Sequence, residues 1–210
     1  GYTMVYGISK MLNFDHGDVI MVGAYISFCA TSYLHVSPWL ALLMSIIVCT
    51  TLGIIIEGLA YKPLRGTSSL AVLITAIGVS YFLQNSALLI WGSAPKVFTS
   101  IVSGTKGLSL FGGQLTITAE SILTMLACIV IMVCMTLFTS RTKMGKAMRA
   151  VSEDNGAAQL MGINVNSTIS MTFAIGSGLA AIAGVLLCSS YPALMPTTGA
   201  MPGIKAFTAV

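Results

Sequence analysis

In 210 residues the chain carries 56% hydrophobic side chains and only 8% charged ones, with a mean hydropathy of +0.92. A soluble domain draws about 25% of its residues from the charged set to face water, so this composition excludes an ordinary soluble surface and assigns the chain to a bilayer. The net charge of +4 comes from ten bases and six acids; charge this sparse orients a membrane protein and is no footprint of nucleic-acid binding.

Crossing the hydrocarbon core takes about 20 mostly apolar residues in a helix. Residues 1–12 read as the tail of one helix and 205–210 as the start of another, so the chain is expected to be one transmembrane domain, 1–210, cut through a helix at each end. Between them lie apolar stretches at 19–34 (the shortest), 39–60, 70–91, 121–139 and 169–190. The fold class is therefore all-α, a polytopic transmembrane bundle. Alternating the spans puts Lys10, Lys62, Arg65, Arg141, Lys143, Lys146 and Arg149 on one side, against Lys96, Lys106 and Lys205 on the other. The positive-inside rule makes the first side cytoplasmic. Residues 92–118 then lie outside, where Lys96-Val-Phe-Thr-Ser-Ile-Val and 108–118, split by Gly104 and Gly107, are expected to pair as a short hairpin. The cysteines (Cys29, Cys49, Cys128, Cys134, Cys188) have no paired spacing and read as packing residues.

Two interruptions break the apolar pattern. The first is Asn13-Phe14-Asp15-His16-Gly17-Asp18, where Asp18 is expected to cap a helix starting at Val19 and Gly17 to turn the backbone. Adjacent Asp and His side chains point apart on a helix, so no metal site is assigned. The second runs from Pro192 through Pro196, Gly199 and Pro202 to Gly203. Irregular backbone at membrane depth is tolerated where it is enclosed by protein or lines a water-filled cavity, which makes both breaks candidates for a translocation pathway. The bundle thus has broken or re-entrant segments.

Polar residues in 70–91 fall into two sets at helical spacing: Thr75, Gly78, Asn85 and Ser86 on one side, Ser80 and Gln84 on another. One set is expected to bond neighbouring helices and the other to line a hydrated cavity, with Thr75 and Asn85 placed near a break. In 169–190, Gly176, Ala180, Gly184 and Cys188 recur every fourth residue, as do Ser170, Ala174 and Gly178. Such rows let helix backbones approach closely, so this helix is expected at the centre of the bundle. No acid or base is placed mid-span, which argues against a proton relay and for a pathway of neutral groups. There is no phosphate-binding loop, so ATP hydrolysis is not expected on this chain. No catalytic constellation is found either.

Residues 140–168 form the longest cytoplasmic connection, expected to hold a surface helix from Lys143 to Met161 ended by Gly162. Within it, Gly156-Ala157-Ala158-Gln159-Leu160-Met161-Gly162 resembles the loop by which ABC importer permeases engage their ATPase, with Gly156 where that loop usually has Glu. Tyr2-Thr-Met-Val-Tyr-Gly-Ile, Asn13-Phe-Asp-His-Gly-Asp, Tyr61-Lys-Pro-Leu-Arg-Gly, Leu73-Ile-Thr-Ala-Ile-Gly-Val-Ser and Gly145-Lys-Ala-Met-Arg-Ala-Val-Ser-Glu-Asp resemble branched-chain amino acid permeases, in that family's order.

The resemblance implies a multi-pass subunit of the bacterial inner membrane. Its implied partners are a second related permease, two ABC ATPase subunits and a soluble substrate-binding protein that delivers leucine, isoleucine or valine. This chain would bind no cofactor, ATP being used by the partner subunit. Glu153, Gly156, Ala157, Ala158 and Gly162 would form the coupling loop; Asn13, Phe14, His16, Gly17, Thr75, Asn85, Pro196 and Gly199 are the pathway candidates. Urea or a short amide as cargo, and a secondary transporter or channel, are the competing readings.

Overall fold

The structure, a computed structural model, describes residues 2–9, 15–98, 108–110 and 115–208. Among them run α1 (Tyr2–Ser9), α2 (His16–Ser32), α3 (Pro38–Ile56), α4 (Ser69–Trp91), α5 (Ala119–Arg141), α6 (Lys143–Glu153), α7 (Asn155–Leu160), α8 (Val165–Ser190) and α9 (Ala200–Thr208). Helix α3 continues through a π turn, Glu57–Tyr61, and a 3₁₀ turn, Lys62–Leu64. Stretches Pro38–Leu64, Leu70–Trp91, Ala119–Arg141 and Val165–Ser190 are long and apolar enough to cross a membrane. They match four of the five expected spans, and the bundle is all-α.

Helix α2 departs from a simple span. It has 17 residues, about 25 Å of helix, and its first turn sits at the depth of the middle of α3. Ser45 donates from its Oγ to the Gly23 carbonyl at 2.7 Å, and the Cys49 thiol lies 3.8 Å from the Val19 carbonyl. Helix α2 therefore starts inside the bundle and runs outward. The turn begins at His16 and not at Val19, and the N-cap position, Asp15, makes no side-chain capping bond. The expected cap is thus replaced: the Asp18 carboxylate is taken by another helix.

Helix α8 is central, as its small residues predict. It packs on α2 and α3, and its small residues meet backbone. A Cβ added at Gly184 would run into the Ile20 carbonyl, and one added at Gly23 would lie 2.8 Å from the Ala181 Cα. Gly178 rests against Thr50, 3.1 Å from its Oγ1 to an added Cβ. In lipid there is no hydrophobic gain from hiding one apolar helix behind another, so this close dispersion contact is what binds the three together. Helix α5, apolar all round, contributes no buried residue.

The extramembrane parts correct two expectations. Strand β1 (Lys96–Val97) pairs antiparallel with β4 (Ala193–Leu194), whereas β2 (Leu108–Leu110) pairs with β3 (Leu115–Ile117). Among the described residues the two halves of the loop do not pair with each other. Burial explains the choice: Phe98 and Leu194 enter one apolar cluster with Tyr25 and Cys188, and the Phe98 amide donates to the Pro192 carbonyl at 2.8 Å. Gly104 and Gly107 lie outside the described residues. The single helix expected from Lys143 to Met161 is in fact two, α6 and α7, broken at Asp154. That residue takes an extended conformation, and its carboxylate accepts from the Gly156 amide at 2.7 Å and the Ala157 amide at 3.2 Å, so the cap starts a new helix. Gly162 ends α7 at φ +81°, as its glycine requires.

Candidate functional site

The two breaks meet. Gly17, in the first turn of α2, packs directly on the backbone of Gly199 and Gly203, and a Cβ on Gly17 would lie 3.0 Å from the Gly203 Cα. Both Gly17 and Gly199 are needed for this close approach, not for a left-handed turn. Pro196 and Gly199 are buried, and Thr198 closes the bend by accepting the Met195 amide at 2.7 Å on its hydroxyl. Beside the contact opens a cavity of about 350 Å³ lined by Gly17, Asp18, Ser80, Gln84, Gly199 and Gly203, with Ile77, Tyr81, Ala200 and Ile204 completing the wall.

Asp18 supplies the charge. It is 2% exposed; its Oδ1 accepts from the Gln84 amide nitrogen at 2.9 Å, and its Oδ2 accepts from the Ser80 hydroxyl. Ser80 and Gln84 stand mid-way along α4, so the acid sits at the depth where the charge pattern placed none. The expectation failed because Asp18 looks terminal in the sequence, while the helix it opens begins inside the bundle. Of the two polar sets on α4, Ser80 and Gln84 make the inter-helix bonds and also line the cavity.

Thr75 and Asn85 bond within their own helix, to the carbonyls of Ala71 at 2.9 Å and Tyr81 at 2.7 Å; Asn85 is exposed on this chain and neither lines the cavity. His16 is buried at the start of α2. Asn13 and Phe14 lie outside the described residues. A larger hollow, about 640 Å³, is lined by Met4, Ile8, Met132, Met135, Arg149 and Leu179 among others, and it touches neither break.

Below the cavity two more buried polar contacts fasten the helices. Tyr61 donates to Asp15 at 2.6 Å while its ring packs at 5.3 Å from that of Phe173. Glu57, 2% exposed, pairs with Arg65 and accepts the Ser170 hydroxyl at 2.6 Å; Arg65 also donates to Asn166. Lys62 stays outside this charged cluster, on the exposed surface. These contacts join the end of α3 to the start of α8, which directly follows the turn built by α6 and α7.

In that turn Glu153, Gly156, Ala157 and Gly162 are exposed, but Ala158 is buried at 2%. Ala158 therefore anchors the turn to the bundle. The exposed apolar side chains are Leu160 and Met161, at 91% and 82%, which the small-residue motif did not single out. No group of three or more His, Cys, Asp or Glu among the described residues has metal-binding proximity.

A bundle with membrane-length helices, a helix starting at mid-depth, and a charged cavity between two breaks defines a multi-pass membrane protein of the permease type. Residues 1–210 match the family described as branched-chain amino acid transport system / permease component, and the chain belongs to that family. It is 44% identical to the high-affinity branched-chain amino acid transport system permease protein BraD of Pseudomonas aeruginosa, with all of this chain and 71% of that protein covered. To LivH of Escherichia coli K12, a permease protein of the same description, the identity is 41% with the same coverage. A probable branched-chain amino acid transport permease protein of Methanocaldococcus jannaschii is 28% identical over all of this chain and 66% of its own length. No solved structure matches the chain.

Proposed function

We propose that this chain is the membrane permease of an ATP-driven importer, moving branched-chain amino acids into the cell across the bacterial inner membrane. The observation that carries the reading is the mid-depth cavity formed where the two broken segments meet, in a chain of this family. A second related permease completes the channel, two ABC ATPases hydrolyse ATP below, and a soluble binding protein delivers the cargo from outside. The exposed pair Leu160 and Met161, presented by the capped turn, is the apolar surface the ATPase grips. Movement of that turn reaches the bundle through α8, because Glu57, Arg65, Asn166 and Ser170 tie its start to α3.

The test is transport by the complete complex in proteoliposomes: ATP-dependent accumulation of labelled leucine, competed by isoleucine and valine. Accumulation of urea or a short amide with no leucine overturns the cargo. Uptake that needs no ATPase overturns the class.

A further inference from the structure

Asp18 is the one charged side chain on the cavity wall among the described residues, and the neutral bonds that tie it to α4 would be served as well by an uncharged acceptor. A carboxylate in the middle of a bundle is costly unless it is paired. Among the described residues no Lys or Arg pairs with it; the ion pair is Arg65 with Glu57, elsewhere. Asp18 has instead two neutral donors, Ser80 and Gln84, which fix the carboxylate in place and leave its charge uncompensated. The cavity is within the size range of small-molecule sites, roughly 300–1,000 Å³. Its wall sorts into two chemistries. Ile77 and Ile204 are aliphatic, whereas Asp18, Ser80 and Gln84 are polar.

We propose that Asp18 is the cargo-recognising residue of the pathway: its carboxylate takes the α-ammonium of a zwitterionic amino acid in transit, with the aliphatic side chain against Ile77 and Ile204. This rests on the amino-acid import reading above. Sharing the carboxylate with Ser80 and Gln84 keeps the site weak enough to release what it takes. A neutral cargo such as urea can donate hydrogen bonds to the carboxylate but forms no ion pair with it, so Asp18 is a specificity determinant and not only a lining residue.

In the reconstituted complex, Asp18→Asn removes the charge and keeps the shape. Leucine uptake at saturating binding protein falls about tenfold or more, the loss expected for a hydrogen bond between charged groups. The complex still assembles, and Asp18→Glu, which keeps the charge, restores part of the uptake. A second measurement does not depend on that variant folding. With the native cysteines replaced, Ile204→Cys on the cavity wall is modified by a small thiol reagent. Leucine protects it in the detergent-solubilised complex, and 4-methylpentanoate, which lacks the ammonium, does not. Equal protection by both compounds, or by neither, overturns the proposal. So does normal leucine uptake by assembled Asp18→Asn complex. A wild-type complex that transports another cargo and no leucine overturns the functional reading beneath it, and the proposal with it.

Discussion

Replacing Gly199 by alanine adds one methyl group at the contact between the two breaks. That methyl would overlap the Gly17 carbonyl, well inside the 3.0 Å that a Cβ keeps from its neighbours, and it would lie 3.2 Å from the Met21 Cβ. The obstacle is backbone on a helix whose other side is packed on α8, so neither wall turns away as a side chain would; the two must separate by on the order of 1 Å. Overpacking of this kind costs about 1–3 kcal/mol. Gly78 provides the control, because it stands on exposed α4 with nothing within 4 Å of an added Cβ. There the helix preference for alanine over glycine, about 1 kcal/mol in water, acts alone, and Gly78→Ala is neutral or stabilising. Unfolding of the purified chain in mixed micelles measures both, and uptake per assembled complex measures the consequence for transport. Gly199→Ala is expected to lose stability and most uptake, and Gly17→Ala to do the same. Normal stability and uptake in both variants would refute the packing of the breaks.

Three further outcomes follow from the geometry. Arg65→Met strands Glu57 buried without its cation and lowers stability by about 3–5 kcal/mol; adding Glu57→Gln recovers much of this, as a double-mutant cycle in the same micelles would show. Leu160→Asp or Met161→Asp leaves the permease inserted but removes ATP hydrolysis coupled to transport, whereas Ala158→Arg, forced into a buried position, lowers the amount of folded permease as well. Normal coupling in both aspartate variants would dismiss the apolar turn as the docking surface. Cysteines at Ser93 and Lys143, in a background without the native five, react with an impermeant reagent from opposite sides of the membrane; labelling of both from outside would reverse the orientation.

Much of the fold was legible because hydrophobic length is a one-dimensional signal: α4, α5 and α8 lie within a few residues of the stretches read from composition. The central place of α8 was legible too, since small residues every fourth position have few other uses in lipid. What escaped was depth. Asp18 next to a break reads as a helix cap, and only the contacts of Val19 with Cys49 and of Asp18 with Gln84 place its carboxylate against the middle of α4. The same loss of depth misdirected the choice between the polar sets of α4, because Asn85 and Gln84 are neighbours whose faces differ by one step of the helix. Ser80 and Gln84 were separable in advance only through a partner of matching chemistry, and that partner was the misplaced acid. In the turn that precedes α8, Asp154 carried a capping signal two and three residues ahead of Gly156 and Ala157, so the break between α6 and α7 was readable there.

The π turn at Glu57–Tyr61 sets the angular phase of everything after it. One extra residue within a turn rotates the chain downstream by about 100°, a single residue's step on an α-helix. That offset swings Tyr61 inward to Asp15 and Phe173, and it returns Arg65 to Glu57. A chain shortened by one residue here would keep every side chain it needs and turn Tyr61 and Arg65 away from their partners. Insertions and deletions are thus tolerated far less at this turn than substitutions, and a length-preserving sequence around residues 57–61 is itself part of how α3 is keyed to α8.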